Sequence, residues 1–197
     1  MNILFTLFLI VMPNVKVETG HFNILQDGRR IGTEDFTISP RGAGYTAEGR
    51  TRITVAGQTL DVRSRMELDA QIRPTYYEVE SAGNLIKLKI EQPVSELEVR
   101  VQAKTEAHDI RFPSDGAIID DNFFHHYLLL LYRVGTAGIN VPTLVPQQRT
   151  VGNLTIRPIG NRMYELESPN IRMTATTDQD GRLMRLTVPD AKVVVER

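Results

Sequence analysis

The 197-residue chain contains no cysteine. That absence excludes disulfides, zinc–thiolate sites, thiol catalysis and lipid attachment through an N-terminal cysteine. Burial alone must hold the fold together. An excess of charge of one sign is also missing, with 23 Lys+Arg against 24 Asp+Glu. No block of Lys and Arg and no aromatic-plus-basic pattern occurs, so nucleic acid is not expected as a partner. Glycine-rich phosphate loops are absent, because Gly42-x-Gly44 lacks a following helix and reads as a hairpin turn. A Gly-x-Ser-x-Gly elbow is absent as well. Histidine is scarce, at four residues, and the spacing His-x-x-x-His does not occur.

Long apolar runs are few. Ile3–Met12 is a ten-residue run, too short for a bilayer span of about 20 residues. It matches the apolar core of a signal peptide, expected over residues 1–19. This leader is atypical. No Lys or Arg precedes the run, and Pro13 and Val15-Lys16-Val17 stand where a small-x-small cleavage site belongs. An upstream start would supply the basic residues. The competing reading is a buried N-terminal strand or helix. Export places the protein in the periplasm or outside the cell, with no stable transmembrane span.

What the chain does have is alternation. Leu60, Val62, Ser64, Met66 and Leu68 alternate with Asp61, Arg63, Arg65, Glu67 and Asp69. Ile86, Leu88 and Ile90 alternate with Lys87, Lys89 and Glu91, and Leu97, Val99, Val101 and Ala103 with Glu98, Arg100, Gln102 and Lys104. Period two with one apolar side predicts strands with one dry and one wet face. Turn signals punctuate these runs: Asp27-Gly28, Arg41-Gly42-Ala43-Gly44, Ala56-Gly57, Ala82-Gly83-Asn84, Gly160-Asn161 and Asp180-Gly181. Strands are expected near 20–26, 30–39, 44–55, 59–70, 75–82, 85–92 and 95–106. A second set follows near 150–158, 162–167, 170–177, 182–188 and 191–196. Short connections favour one antiparallel meander. The wet-face arginines Arg50, Arg52, Arg63 and Arg65 should pair across strands with Glu48, Asp61 or Glu67.

Between the two sets lies Phe123–Tyr132, Phe-Phe-His-His-Tyr-Leu-Leu-Leu-Leu-Tyr. Asp120-Asp121-Asn122 offers N-cap residues for a helix over Asn122–Arg133, within a window of 121–134, ending near Gly135. Gly138–Pro146 then reads as a Pro-bounded connection. A helix this apolar on every side needs cover, and the dry sheet face supplies it. The expected fold is mainly β: a curved antiparallel sheet, a half-barrel or open barrel, around one central helix. Residues 20–197 make a single β-rich domain.

The opening Gly20-x-Phe22-x-Ile24, with Asp27-Gly28-x-x-Ile31-Gly32, the central helix and the closing Asp180-Gly181-Arg182-Leu183-x-Arg185-Leu186-x-Val188-Pro189 resemble uncharacterised secreted bacterial β-proteins. In layout the chain is also similar to the periplasmic lipoprotein-carrier (LolA/LolB-type) half-barrels. The resemblance implies an apolar-ligand cavity and an extracytoplasmic location. It carries over no catalytic residue.

Candidate sites centre on the helix. Phe123, Phe124, Tyr127, Leu128, Leu131 and Tyr132 form core, line a cavity for an acyl chain or lipid, or present a docking surface to an envelope partner. His125 and His126 point about 100° apart, so one metal is not easily shared, although Asp121 and His125 share a face and Asp120, His21 or His108 could join them. The simpler role is capping. Asp120-Asp121 is a carboxylate pair or an N-cap, Ser114-Asp115-Gly116 is a turn, and Asn153-Leu154-Thr155 is a glycosylation sequon on a strand. Three functions follow: a non-enzymatic binding module for an apolar ligand or apolar protein segment, a structural or interaction domain with a filled core, and a hydrolase using His125/His126. No catalytic residue, metal ligand or cofactor is assigned.

Overall fold

Residues 17–91 and 94–197 are described by a computed structural model. The apolar run Ile3–Met12 and nearly all of the expected leader lie outside the described residues. Eight strands come first: β1 Glu18–Gln26, β2 Arg29–Arg41, β3 Gly44–Val55, β4 Gln58–Leu68, β5 Pro74–Ser81, β6 Asn84–Lys89, β7 Ser95–Val101 and β8 Lys104–Ile110. The two-residue β9 Ala117–Ile118 and the helix α1 His125–Arg133 follow. The chain closes with β10 Ile139–Val145, β11 Thr150–Gly160, β12 Met163–Ser168, β13 Ile171–Thr177, β14 Leu183–Val188 and β15 Val193–Glu196.

All the strands join one open, curved sheet, in the order β8-β7-β6-β5-β4-β3-β2-β1-β15-β14-β13-β12-β11-β10-β9. Neighbours are antiparallel except β9 and β10, which run parallel. The first and last described strands pair with each other, Ile24 opposite Val195, so both lie mid-sheet. β9 does not meet β8 at the other end of the order. It lies against β5 instead.

The hairpins form where positive φ is tolerated. Asp27 and Gly28 (φ 49° and 75°), Ala56 and Gly57 (51° and 80°), and Ala82 and Gly83 (48° and 81°) are two-residue turns whose twist matches the flanking strands. The alternation fixes the register: Ile38, Ala47, Met66, Tyr77, Leu88 and Leu97 form one cross-strand row on the dry face, and all are buried. On the wet face Arg50 and Arg52 reach Asp61, and Arg65 reaches Glu48 and Glu67.

Three expectations are corrected. The run 95–106 is two strands, because the chain turns at Gln102 (φ 55°) into β8; Val101, read as dry, is 52 % exposed. The connection Gly138–Pro146 is mostly the strand β10. Pro142 is tolerated there because β9 bonds only to Thr143 and Leu144 on that side. The helix starts at His125, later than expected, with Phe124 at its N-cap.

Helix α1 buries every residue from His125 to Leu131. Leu128 is fully buried, and each such leucine contributes about 1.5–3 kcal/mol. Its last residue, Arg133, donates to the carbonyls of Asp115 (2.6 Å) and Gly116 (3.3 Å), which ties the helix end to the turn at 113–116.

Candidate functional site

The helix N-terminus is capped from the sheet. Phe124 holds the N-cap position and makes no side-chain capping bond. Glu34, in the row between Phe22 and Thr51, points to the dry face and is fully buried. Its carboxylate accepts the amides of Phe124 (2.7 Å) and His125 (3.3 Å) and a short bond from His125 Nδ1. A carboxylate on the first free amides meets both the unsatisfied donors and the positive end of the helix. Asp120 is therefore not the helix cap. It closes the preceding turn, accepting Asn122 N (2.9 Å) and Nδ2 (3.0 Å) on Oδ1.

Gly49 makes the close approach feasible. A Cβ there would stand 2.5 Å from His125 Cε1 and 3.0 Å from Phe123 Cδ1. Around it the rings pack: Phe36 stacks on His125 at 5.7 Å, Phe123 stacks on His126 at 5.6 Å, and the two imidazoles meet edge-on at 4.5 Å. Among the described residues, His125 Nε2, both ring nitrogens of His126 and Ser64 Oγ have no hydrogen-bond partner. Burial and the neighbouring His125 push the His126 imidazole well below its ordinary pKa, so it is held neutral.

A second polar cluster sits one turn away. Tyr77, from β5, donates to Asp120 Oδ2 at 2.5 Å. Gln147, from the β10–β11 turn, donates to the same oxygen, and Gln148 donates to Asp121 at 2.8 Å. Thr51 donates to the Asn122 carbonyl at 2.6 Å. Burial raises the Asp120 carboxyl, and the bonds from Tyr77 and Asn122 oppose that rise. The Tyr77 hydroxyl is pushed far up by burial and by Asp120, so it stays protonated and can donate to Asp120.

Beside this second cluster the dry face runs out past the helix. A cleft of about 190 Å³ opens there. Its floor is Leu60, Val62, Val79 and Ile86; its rim is Ser81, Asn84, Asn122 and Gln147. Leu60 is 39 % exposed, unlike Val62 and Met66 further along the same strand. The lining carries no charged side chain.

The residues singled out from sequence are distributed as follows. Phe123, Phe124, Tyr127, Leu128 and Leu131 are buried in the core, and Tyr132 is partly buried against it. His125 finds a carboxylate in Glu34, yet both side chains are at 0 % exposure. Asp121 lies in the turn before the helix and bonds Gln148, so it does not share a helical face with His125. His21 pairs with Asp35 on the wet face, and His108 lies near Glu106 in β8. Among the described residues no three His, Asp or Glu side chains converge as a metal would require. Glu34, Tyr77 and Gln147 were missed. Glu34 had a signal: it is in phase with Phe36 and Ile38, a charge on an apolar row.

No family model matches this chain, and no curated protein matches it. One solved structure does. It is the crystal structure of a DUF1089 family protein from Pseudomonas aeruginosa. The two superpose with a TM-score of 0.54 at 14 % identity, over 77 % of this chain and 86 % of that one. At that identity the likeness shows a shared fold alone. Among the described residues no helix is long and apolar enough to cross a membrane.

Proposed function

We propose that this protein is an exported, non-enzymatic binding module, a half-barrel around one helix that holds an apolar ligand such as an acyl chain. The observation that carries the reading is the cleft over Leu60, Val62, Val79 and Ile86, where the dry sheet face meets solvent beside the helix N-terminus. Removing apolar ligand surface from water onto that floor drives binding, and the polar rim orients it. The ligand sits at the open end of the sheet over Leu60 and Ile86, which keep exposed surface, and not against the covered Leu128 or Leu131. The resemblance to lipoprotein-carrier half-barrels read from the sequence would place a ligand in the same kind of site. Export rests on the apolar run before β1. Glu18, the first residue of β1, is buried near Arg182 and Arg197, so a cut that spares β1 falls before it.

The test is uptake of a neutral naphthylamine dye that fluoresces in apolar surroundings. Wild type should show a saturable rise, and Ile86→Trp, which fills the cleft, should abolish it with a near-normal melting temperature. An unsaturable wild-type signal, or uptake unchanged in Ile86→Trp, would falsify the reading. The covered helix favours a second reading, an interaction domain with a filled core that works through the terminal strand β8; absence of any cleft ligand would leave that account standing.

A further inference from the structure

We propose that the cleft selects an alkyl ligand whose head is a neutral hydrogen-bond donor, a primary amide or a hydroxyl, which takes the place of Gln147 on Asp120. The inference rests on the cleft reading above and names its ligand class. Gln147 belongs to two structures at once: it lines the cleft, and its carboxamide nitrogen donates to buried Asp120. It is exposed, on the turn between β10 and β11. An exposed side chain gives up such a bond to water at small cost, so the position can be vacated.

The vacated position would be an acceptor only. Asp120 Oδ1 is already filled by both donors of Asn122, while Oδ2 keeps the Tyr77 hydroxyl and loses one partner. Oδ2 then has room for a second donor beside Tyr77, and a ligand head can fill that place instead of water. A head group carrying N–H or O–H restores the bond while its chain lies on Leu60 and Ile86. A carboxylate head brings no donor and meets Asp120 and Asp121, two like charges. The rim of Ser81, Asn84 and Asn122 offers uncharged partners for the rest of a neutral head. Gln147 thus holds the site closed with the same chemistry that opens it.

Calorimetric titration of the full chain at neutral pH with octanamide, 1-octanol and octanoate tests this. Octanamide and octanol should bind about tenfold tighter than octanoate, the scale of one hydrogen bond to a charged group. Gln147→Ala should tighten octanamide several-fold, since the internal competitor is gone, and leave octanoate weak. Asp120→Asn should narrow the gap between amide and carboxylate. Equal affinity of wild type for octanoate and octanamide overturns the proposal, as does an octanamide affinity that Gln147→Ala leaves unchanged. Either result leaves the cleft reading intact, because octyl chains still bind. Should Asp120→Asn fail to fold, the wild-type and Gln147→Ala titrations decide alone. If no octyl compound binds and no dye is taken up, both readings fall together.

Discussion

Two acidic clusters flank the start of the same helix, and they are built for different ends. Glu34 receives two helix amides and an imidazole, and every group around it is sealed in the core. Asp120 receives a tyrosine, an asparagine and a glutamine, and the glutamine borders an open cleft. The first cluster fixes where the helix sits. The second has one partner that can leave. In the first cluster the carboxylate is satisfied while the imidazoles around it keep unpartnered nitrogens, and it fixes position; the second, with one exposed partner, is the cluster that suits the binding proposed above. The same contrast separates the two histidines from a hydrolase centre: Glu34 orients His125, but neither side chain meets solvent.

The largest expected effect is on the sealed side. Glu34→Ala leaves His125 and two helix amides without their shared acceptor. Each buried donor left without an acceptor costs about 1–3 kcal/mol, so losing the acceptor of three takes a large share of a typical total of about 5–15 kcal/mol. Chemical denaturation should show the midpoint falling steeply. A loss below about 1 kcal/mol would mean that packing alone seats the helix, and the contrast between the clusters would collapse.

Gly49→Ala probes the same contact sterically. The added methyl overlaps the His125 ring, and both the ring and its backbone are pinned by Glu34, so relief requires the helix to shift. Overpacking of this kind costs about 1–3 kcal/mol. Ser64→Ala, one strand away in the same row, should be close to neutral, because its hydroxyl has no bond to lose. Thermal melts of the two variants side by side separate close approach from general crowding.

Much of this fold is legible in the sequence. The hairpins at Asp27-Gly28, Ala56-Gly57 and Ala82-Gly83 follow from local φ preferences, and the rows follow from period two. The helix start was misplaced because Asp120-Asp121-Asn122 has the letters of a cap, while the actual cap comes from a residue 90 positions earlier in the chain. No local rule reports a partner brought in by tertiary structure. The strand β10 was hidden by Pro142 and Pro146, since proline argues against a strand unless its neighbour leaves that position unpaired. Gln147 had no signal at all. An exposed turn glutamine becomes informative only when the fold sets it over Asp120.

Acid should act through the sealed cluster next. His126 is held neutral in the fold, with its pKa depressed below the ordinary 6.5. As pH falls below about 6.5 the unfolded chain takes up a proton that the folded chain refuses, so stability drops by at most about 1.4 kcal/mol per pH unit from this group. Asp120 and Glu18, whose carboxyls are raised by burial, act in the opposite sense: the fold holds their protons more readily than the unfolded chain does. Their contribution grows at lower pH, toward the carboxylate range. Melts of wild type and His126→Phe between pH 7.5 and 5.5 (about two units, centred on the ordinary histidine value) should therefore diverge, with the variant losing less. Parallel curves would show that the neutral ring is not what acid attacks.

The smallest stability change is expected at Gln147, and its smallness is the point. Gln147→Ala removes a bond to Asp120, yet the side chain is exposed and water can reach the vacated oxygen through the cleft. Its cost should stay within about 1 kcal/mol, the range of a single replaceable hydrogen bond. Asp120 keeps Tyr77 and Asn122, so the turn at Asp120-Asp121-Asn122 should hold and the helix should not move. Amide exchange of the 120–125 segment checks this directly, since protection there reports whether the loop before the helix stays closed. Unchanged protection with altered ligand affinity would mark Gln147 as the exchangeable partner that Glu34 lacks. A broad loss of protection reaching His125 would show instead that the two clusters are one unit, and that the open site and the sealed one cannot be separated by a single side chain.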